Sequence, residues 1–276
     1  MQLLTWNTQW CCGVDAVVSP QRIVDSARAL ADIDVLCLQE IAEGFADLPG
    51  HPGDQPAQIA QALPQWRLFF GAAVDEFQPD GRRQRFGNLI ATRLPVLQVQ
   101  HYPLPWPADG GVRCMPRMCS VLTVRDPGLG AVRIMTTHLE FYSAPQRMAQ
   151  ARALCALHAQ ACALAARPPA EAADGTPFQT RTHTPHAVLC GDFNLAPQDP
   201  EYPLFSAAGL HDAWPLLHPQ QPHAPTFMVF DRSHGDTPLA CDFVFVSDSL
   251  VPRLLHIQVD GVTQASDHQP VVLQIG

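Results

Sequence analysis

The stretch Ala187-Val188-Leu189-Cys190-Gly191-Asp192-Phe193-Asn194 decides how the chain is read. A short apolar run goes unbroken and then stops at Gly-Asp-Phe-Asn. An uninterrupted apolar run bounded by turn residues predicts a strand buried on both faces. Such a strand delivers Asp192 and Asn194 at its C-terminal edge, where open α/β sheets place their ligands. Four other polar clusters stand at expected strand ends: Asn7, Glu40, His138 and the pair Asp267-His268. All of them are expected at one site with Asp192.

Working outward, residues 3–6 and 35–38 read as strands that end at Asn7 and at Gln39-Glu40. Between them Ser19 caps a helix over 21–31, with Pro20 at its first position. Strand, helix and strand within about 40 residues make a βαβ opening. A short helix is expected at 57–63. Strands at 66–70, 89–92, 96–102 and 119–124 are separated by Gly, Pro and Arg, which favours antiparallel neighbours. Residues 132–137 form a strand ending at His138. Ser143-Ala144-Pro145 opens the longest helix, 146–166, with an apolar stripe through Met148, Ala151, Leu154, Cys155, His158, Cys162 and Ala165. Residues 167–186 lack periodicity and read as a surface excursion. After the central strand come a short helix at 202–208 and a Pro- and His-rich loop at 215–225. The last strands are 242–246, 254–259 and 271–275.

Composition narrows the function. The 276 residues are 47% hydrophobic and only 16% charged, so much of the chain must be core. Net charge is -9, against the basic face that nonspecific binding to long nucleic acid requires. All 17 basic residues are Arg. The lack of Lys removes Schiff-base chemistry, a P-loop lysine and a Ser–Lys dyad, and leaves Arg for phosphate contacts. Nine Cys without a C-x-x-C pair read as reduced, mostly buried thiols. No apolar run is long enough to span a membrane, and no leader pattern opens the chain. A cytoplasmic, monomeric protein is expected.

Glu40 closes a buried strand, where a carboxylate needs a partner or a metal. Glu40, Asn7 and Asp267 together form an all-oxygen set suited to Mg²⁺ or Mn²⁺. Two histidines at strand ends beside paired carboxylates suit in-line attack of water on a phosphodiester, which needs a base, oxyanion donors and a metal. No Gly-x-Ser-x-Gly is present, so a covalent serine route has no support.

These residues carry a resemblance. Thr5-Trp6-Asn7, Leu38-Gln39-Glu40, Gly87-Asn88-Leu89-Ile90-Ala91-Thr92-Arg93 and Thr137-His138-Leu139 come first in order. Gly191-Asp192-Phe193-Asn194, Asp242-Phe243-Val244-Phe245-Val246 and Ser266-Asp267-His268 follow. The series resembles the endonuclease/exonuclease/phosphatase superfamily, the DNase I-like proteins, from Thr5 to His268. The resemblance implies one domain over 1–276: a four-layer α/β sandwich, two mixed β-sheets packed face to face with helices outside. It implies a Mg²⁺- or Mn²⁺-dependent phosphoesterase. Glu40, Asn7 and Asp267 would lie on the metal side. Asp192 would activate water, Asn194 would contact the scissile phosphate, and His138 and His268 would stabilise charge at phosphorus. Asp242 would hold the ring of His268.

Two further residues keep two readings each: Asn88 touches substrate or closes a turn, and Arg117 faces phosphate or is a loop Arg. A third, Arg147, is expected to reach the cleft from a helix start. The cluster Arg82, Arg83 and Arg85 is either a solvated loop or a phosphate-recruiting rim. Trp10, Trp106, Phe141, Tyr142 and Trp214 either stack on substrate or plug the domain edge. His183, His186, His211, His218 and His223 are expected at the surface. Expected substrates are phosphodiesters, including DNA ends, or alternatively a small or lipid-linked phosphate such as an inositol phosphate or sphingomyelin. A non-catalytic binding member of the fold is the rival from another class. Phe193 stands where tyrosyl-DNA phosphodiesterases carry Thr, which sets the chain apart from them.

Overall fold

The computed structural model describes residues 1–276. Strand β1 (Gln2–Asn7) runs parallel to β2 (Val35–Glu43), with Asn7 opposite Gln39. Helix α1 (Pro20–Leu30) makes the crossover. The Ser19 hydroxyl accepts from the Arg22 N–H at 3.2 Å, satisfying a free donor of the first turn. Pro20 follows at a position that needs no N–H. Ile23, Val24 and Ala27 bury one face of this helix against Leu4, Trp6, Leu36 and Leu38.

Helix α2 (Gln55–Ala62) leads to a hairpin of β3 (Arg67–Phe77) and β4 (Arg83–Thr92), and β4 lies antiparallel to β2. Both arms run well beyond the apolar segments 66–70 and 89–92. Their outer halves are held by cross-strand polar pairs, Asp75 with Arg83 and Glu76 with Gln84. Polar pairing leaves no hydrophobic alternation, so the extension had no signal in the sequence. The Arg82–Arg85 cluster therefore belongs to this hairpin, not to a free loop.

Strands β5 (Val96–Pro103), β6 (Met118–Asp126) and β7 (Gly130–His138) form an antiparallel meander in the second sheet. Helix α3 (Ala144–Ala166) crosses over to β8 (Ala187–Asp192), which is parallel to β7. No helix or strand interrupts residues 167–186. Helix α3 buries Gln146 and Gln150 as well as Ala151, Leu154 and His158. Both glutamines donate to carbonyls of the 105–107 segment, which explains polar residues on the inner face.

After β8 come α4 (Tyr202–Ala207), β9 (Leu210–Asp212), α5 (Ala213–Leu217) and β10 (Asp242–Ser247), the last antiparallel to β8. Part of the stretch read as a 215–225 loop is thus the end of α5. Strands β11 (Leu254–Val259) and β12 (Val271–Ile275) complete the first sheet.

The two mixed sheets have six strands each, in the orders β11-β12-β1-β2-β4-β3 and β5-β6-β7-β8-β10-β9. Each carries one parallel pair among antiparallel neighbours. Leu3, Val35, Cys37 and Ile90 of the first sheet meet Leu122, Ile134, Val188 and Val244 of the second in the central core. Separate apolar layers join α1 and α2 to the first sheet, and α3 and α4 to the second. This is the expected sandwich. One polar link crosses its centre: buried Gln39 donates to Thr136 Oγ1 at 2.9 Å and to Thr5 Oγ1 at 3.2 Å. The nine cysteines are free thiols, as read from their spacing. No helix is long and apolar enough to cross a membrane.

Candidate active site

The two parallel pairs bring polar residues to one place. In the second sheet His138 and Asp192 are register partners at the ends of β7 and β8. Gly191 makes that approach possible. It sits at φ +136, and a Cβ there would lie 2.0 Å from the Thr137 carbonyl oxygen. In the first sheet Glu40 does not end its strand as the sequence suggested. It lies in a bulge between Leu38 and Ile41, where the register with β4 slips, and β2 runs on to Glu43. Its φ is +61, a left-handed conformation that a non-glycine residue holds at a cost of about 1–3 kcal/mol. The bulge turns the carboxylate out of the strand and toward the second sheet.

Asn7 joins the halves. Its Nδ2 donates to Asp192 Oδ2 at 2.9 Å and to Glu40 Oε1 at 3.1 Å. Its Oδ1 accepts from the Gln9 N–H at 3.1 Å. The amide oxygen keeps a second lone pair, and the amide nitrogen holds two carboxylates side by side.

Asp192 is the hub. Its Oδ1 accepts from the Asn194 N–H at 2.9 Å. Its Oδ2 lies 3.5 Å from His138 Nε2 and 3.7 Å from His268 Nε2. Asn194, at φ +50, donates its side-chain Nδ2 to the Leu139 carbonyl at 2.9 Å, fixing the turn after β7. Asp242, opposite Asp192 in the β8–β10 pair, accepts from His268 Nδ1 at 2.8 Å. That bond leaves His268 Nε2 facing the cleft, as in other Asp–His arrangements. Asp267 is buried beside it, and Ser266 Oγ fixes the turn by donating to the Asn7 carbonyl.

The two histidines differ in charge, His268 being cationic and His138 neutral. Burial opposes ionisation of His268, but Asp242 and Asp192 overcome it and raise its pKa to about 10. Burial, with Arg117 and His268 nearby, pushes His138 well below the usual histidine value, so it is neutral. Burial and Asp267 raise Glu40 to about 7. Burial and Asp242 raise Asp192 to about 6. Burial likewise raises Asp267.

Three buried carboxylates that resist ionising together form a hard, all-oxygen donor set short of positive charge. That set fits a divalent cation such as Mg²⁺ or Mn²⁺. A second geometric cluster, Asp192 with Cys241 and His268, lies within 4.8 Å. It does not suit a metal, because His268 is an imidazolium and burial keeps the Cys241 thiol protonated.

These residues open onto a cavity of about 550 Å³, lined also by Arg117, Trp10, Phe141 and Tyr142. The buried Arg117 pairs with Glu140 at 3.2 Å, and its Nη1 has no partner. Asn88 does not line this cavity; it shares a small pocket with Glu40, Arg117 and His138 and donates to the Met118 carbonyl at 3.3 Å. Arg147 is not brought to the cleft. It holds the Glu140 and Phe141 carbonyls at 3.1 and 3.0 Å and pairs with Glu201. A helix-start Arg one loop away reached the backbone of that loop, not its opening.

Of the remaining aromatics, Trp106 is exposed outside the cavity and Trp214 is a core residue stacked near His223. His223 itself is half-buried and pairs with Asp212 at 2.7 Å, so it is not a free surface histidine. Phe193 points away from the cleft into a cluster with Phe205, Phe243 and Phe245. Strand alternation sends it to the opposite face from Asp192, so it says nothing about substrate. Phe227 was not foreseen. Its ring stacks on His268 with centroids 4.4 Å apart. It lies in a loop without periodicity, and no pattern marked it.

With the geometry in place, comparisons with known proteins are informative. The model of the Endonuclease/Exonuclease/phosphatase family matches residues 4–268. An endonuclease/exonuclease/phosphatase from Beutenbergia cavernae is 25% identical, with a TM-score of 0.71, over 100% of this chain and 72% of that one. The mannosyl-6-phosphatase of Bacteroides thetaiotaomicron is 18% identical with a TM-score of 0.69, over 100% of this chain and 99% of that one. D. rerio TDP2 complexed with single strand DNA product is 17% identical with a TM-score of 0.63, over 99% and 97% of the two chains. No curated protein sequence matches the chain.

Proposed function

The chain belongs to the endonuclease/exonuclease/phosphatase family, and from that premise we propose a Mg²⁺- or Mn²⁺-dependent phosphodiesterase that works by direct attack of water. The observation that carries the proposal is Asp192. Its Oδ2 stands 3.5 Å from neutral His138 and 3.7 Å from cationic His268. Together they provide a base, a cationic donor and a neutral donor around one point.

Glu40 and Asp267 would hold the cation, with Asn7 keeping Glu40 beside Asp192. When bound, the cation neutralises the carboxylates and stabilises charge on the phosphate and the leaving oxygen. Asp192, raised to about 6, is matched to taking a proton from water near neutral pH. His268 offers its cleft-facing Nε2–H to a phosphate oxygen as charge builds, while Asp242 fixes its ring. His138 donates without adding charge, so the carboxylates stay free to serve the cation. Asn194 keeps one amide N–H for the phosphate after bonding Leu139. All of these groups come from one proposed domain spanning 1–276.

Purified protein with Mg²⁺ or Mn²⁺ is expected to hydrolyse bis(p-nitrophenyl) phosphate. His268→Ala is expected to lower kcat/KM by about 10³-fold or more. Unchanged turnover in that variant, with an unchanged circular dichroism spectrum, would refute the mechanism. A panel of duplex DNA, 5′-tyrosyl DNA, inositol phosphates and sphingomyelin then ranks the substrate classes.

A further inference from the structure

The cavity beyond the phosphate position has an unusual balance. Four carboxylates line it, Glu40, Glu140, Asp192 and Asp267, against two guanidiniums, Arg113 and Arg117. Arg117 is already committed to Glu140. Four further arginines are also committed, whereas exposed Arg232, near the lining residue His234, has no ion pair. Arg83 pairs with Asp75 at 2.6 Å, Arg82 with Asp80 at 2.6 Å, Arg85 with Glu43, and Arg147 with Glu201 at 3.4 Å. Only Arg113 is exposed without an ion pair among the cavity residues. A nucleic-acid strand needs a positively charged track for its successive phosphates. Two unpaired exposed guanidiniums, Arg113 and Arg232, do not make such a track.

Where a track would run, the cavity is aromatic. Trp10, Phe45 and Phe86 stand on the first-sheet side, with Phe45 and Phe86 edge to face at 6.1 Å. Phe141, Tyr142 and Phe227 stand on the second-sheet side. Phe141 and Tyr142 lie edge to face at 4.8 Å and are 40% and 53% exposed. Large side chains left this exposed at the mouth of a cleft offer apolar area to a ligand. Both sets line the same cavity as the carboxylates and histidines.

We propose that this cleft selects a compact phosphodiester, one phosphate carrying a flat apolar substituent lodged against these aromatic side chains, and discriminates against extended polynucleotides. The proposal rests on the phosphodiesterase reading for the reacting phosphate. The aromatic side chains themselves are independent of it. The scissile phosphate sits over Glu40, Asp192 and His268, and the substituent reaches outward against Phe141 and Tyr142. An aryl ester and a nucleoside monoester share the flat face that this site would recognise.

The test holds the leaving group constant. Methyl p-nitrophenyl phosphate, phenyl p-nitrophenyl phosphate and thymidine 5′-(p-nitrophenyl phosphate) release the same p-nitrophenolate. The phenyl ester is expected to exceed the methyl ester in kcat/KM by roughly tenfold or more, from the added apolar contact. The thymidine ester shows whether a nucleoside serves as well as an aryl group. In Phe141→Ala/Tyr142→Ala, both exposed positions, the phenyl-over-methyl ratio is expected to fall to about threefold or less. Cleavage of a short single-stranded oligonucleotide is expected to vary only weakly with salt. A ratio near one in the wild type, a ratio unchanged in the double variant, or a steep salt dependence would overturn the proposal. Calorimetry separates it from the catalytic reading. If no ester is turned over but phenyl phosphate still binds about tenfold more tightly than methyl phosphate, the aromatic site stands and the phosphodiesterase does not. If esters are turned over with no phenyl preference, the reverse holds.

Discussion

The two parallel strand pairs reach the same site in different ways. β7 and β8 end level, with His138 opposite Asp192, and both side chains arrive by ordinary strand geometry. β1 and β2 do not end level. β1 stops at Asn7, while β2 passes the site and throws Glu40 out of line through a bulge with φ +61. The second-sheet half is thus regular and depends on one glycine for close approach. The first-sheet half is strained and depends on neighbours to hold it. Asn7 ties the two, bonding Glu40 on one side and Asp192 on the other. A site split between two sheets can set its parts independently and still keep them within hydrogen-bond reach.

The sharpest way to break this comparison is Glu40→Gln. If the strained half holds the cation, kcat/KM is expected to fall by about 10³-fold with the fold intact. Activity within tenfold of wild type would remove the first sheet from the chemistry. Next in size is Asp242→Asn, expected to lower kcat by about 10²-fold. It should also move the alkaline limb of the pH–rate profile downward, since Asp242 helps to hold His268 charged up to about 10. An unmoved limb would mean that Asp242 does not set the protonation of His268.

Gly191→Ala tests the regular half. The added Cβ would meet the Thr137 carbonyl at 2.0 Å, and the φ of +136 is closed to alanine. Stability measured by urea denaturation is expected to drop by about 2 kcal/mol or more. A smaller loss would show that β7 and β8 can separate at little cost.

The smallest expected effect is on melting temperature. Glu40 and Asp192 have folded-state pKa values of about 7 and about 6, above their ordinary values. Their ionisation therefore opposes folding, and the metal-free protein loses stability as pH rises from about 4 to about 7. The raised pKa of His268 acts with them. Its stabilisation is full below its ordinary value and is lost as pH climbs toward about 10. Mg²⁺ is expected to raise the melting temperature by more at about pH 8 than at about pH 5. An equal gain at both would indicate that the cation binds away from these carboxylates.

The comparison also shows what the sequence could and could not reveal. Asp192 and His138 were legible because each ends an apolar run at a regular strand terminus, a pattern that period and turn residues write plainly. The sandwich was legible for the same reason, together with the motif order. Glu40 was found, but its bulge was not, because a register slip leaves the composition of the strand unchanged. The hairpin of β3 and β4 was read short because polar pairs such as Asp75 with Arg83 extend it. Arg147 was sent to the cleft on spacing alone, whereas its guanidinium found the nearer Glu140 and Phe141 carbonyls. Asn7 was recognised as a site residue, but its amide orientation depends on which neighbours surround it. Phe227 lies in a loop, where nothing in the sequence announces a stacking partner.

The most direct test of the central claim is kcat/KM for bis(p-nitrophenyl) phosphate, with saturating Mg²⁺, in the wild type and in Asp192→Asn. The substitution keeps the shape and removes the base at the point where both sheets meet. The account predicts a loss of about 10³-fold or more with an unchanged circular dichroism spectrum. A variant within tenfold of wild type would contradict it.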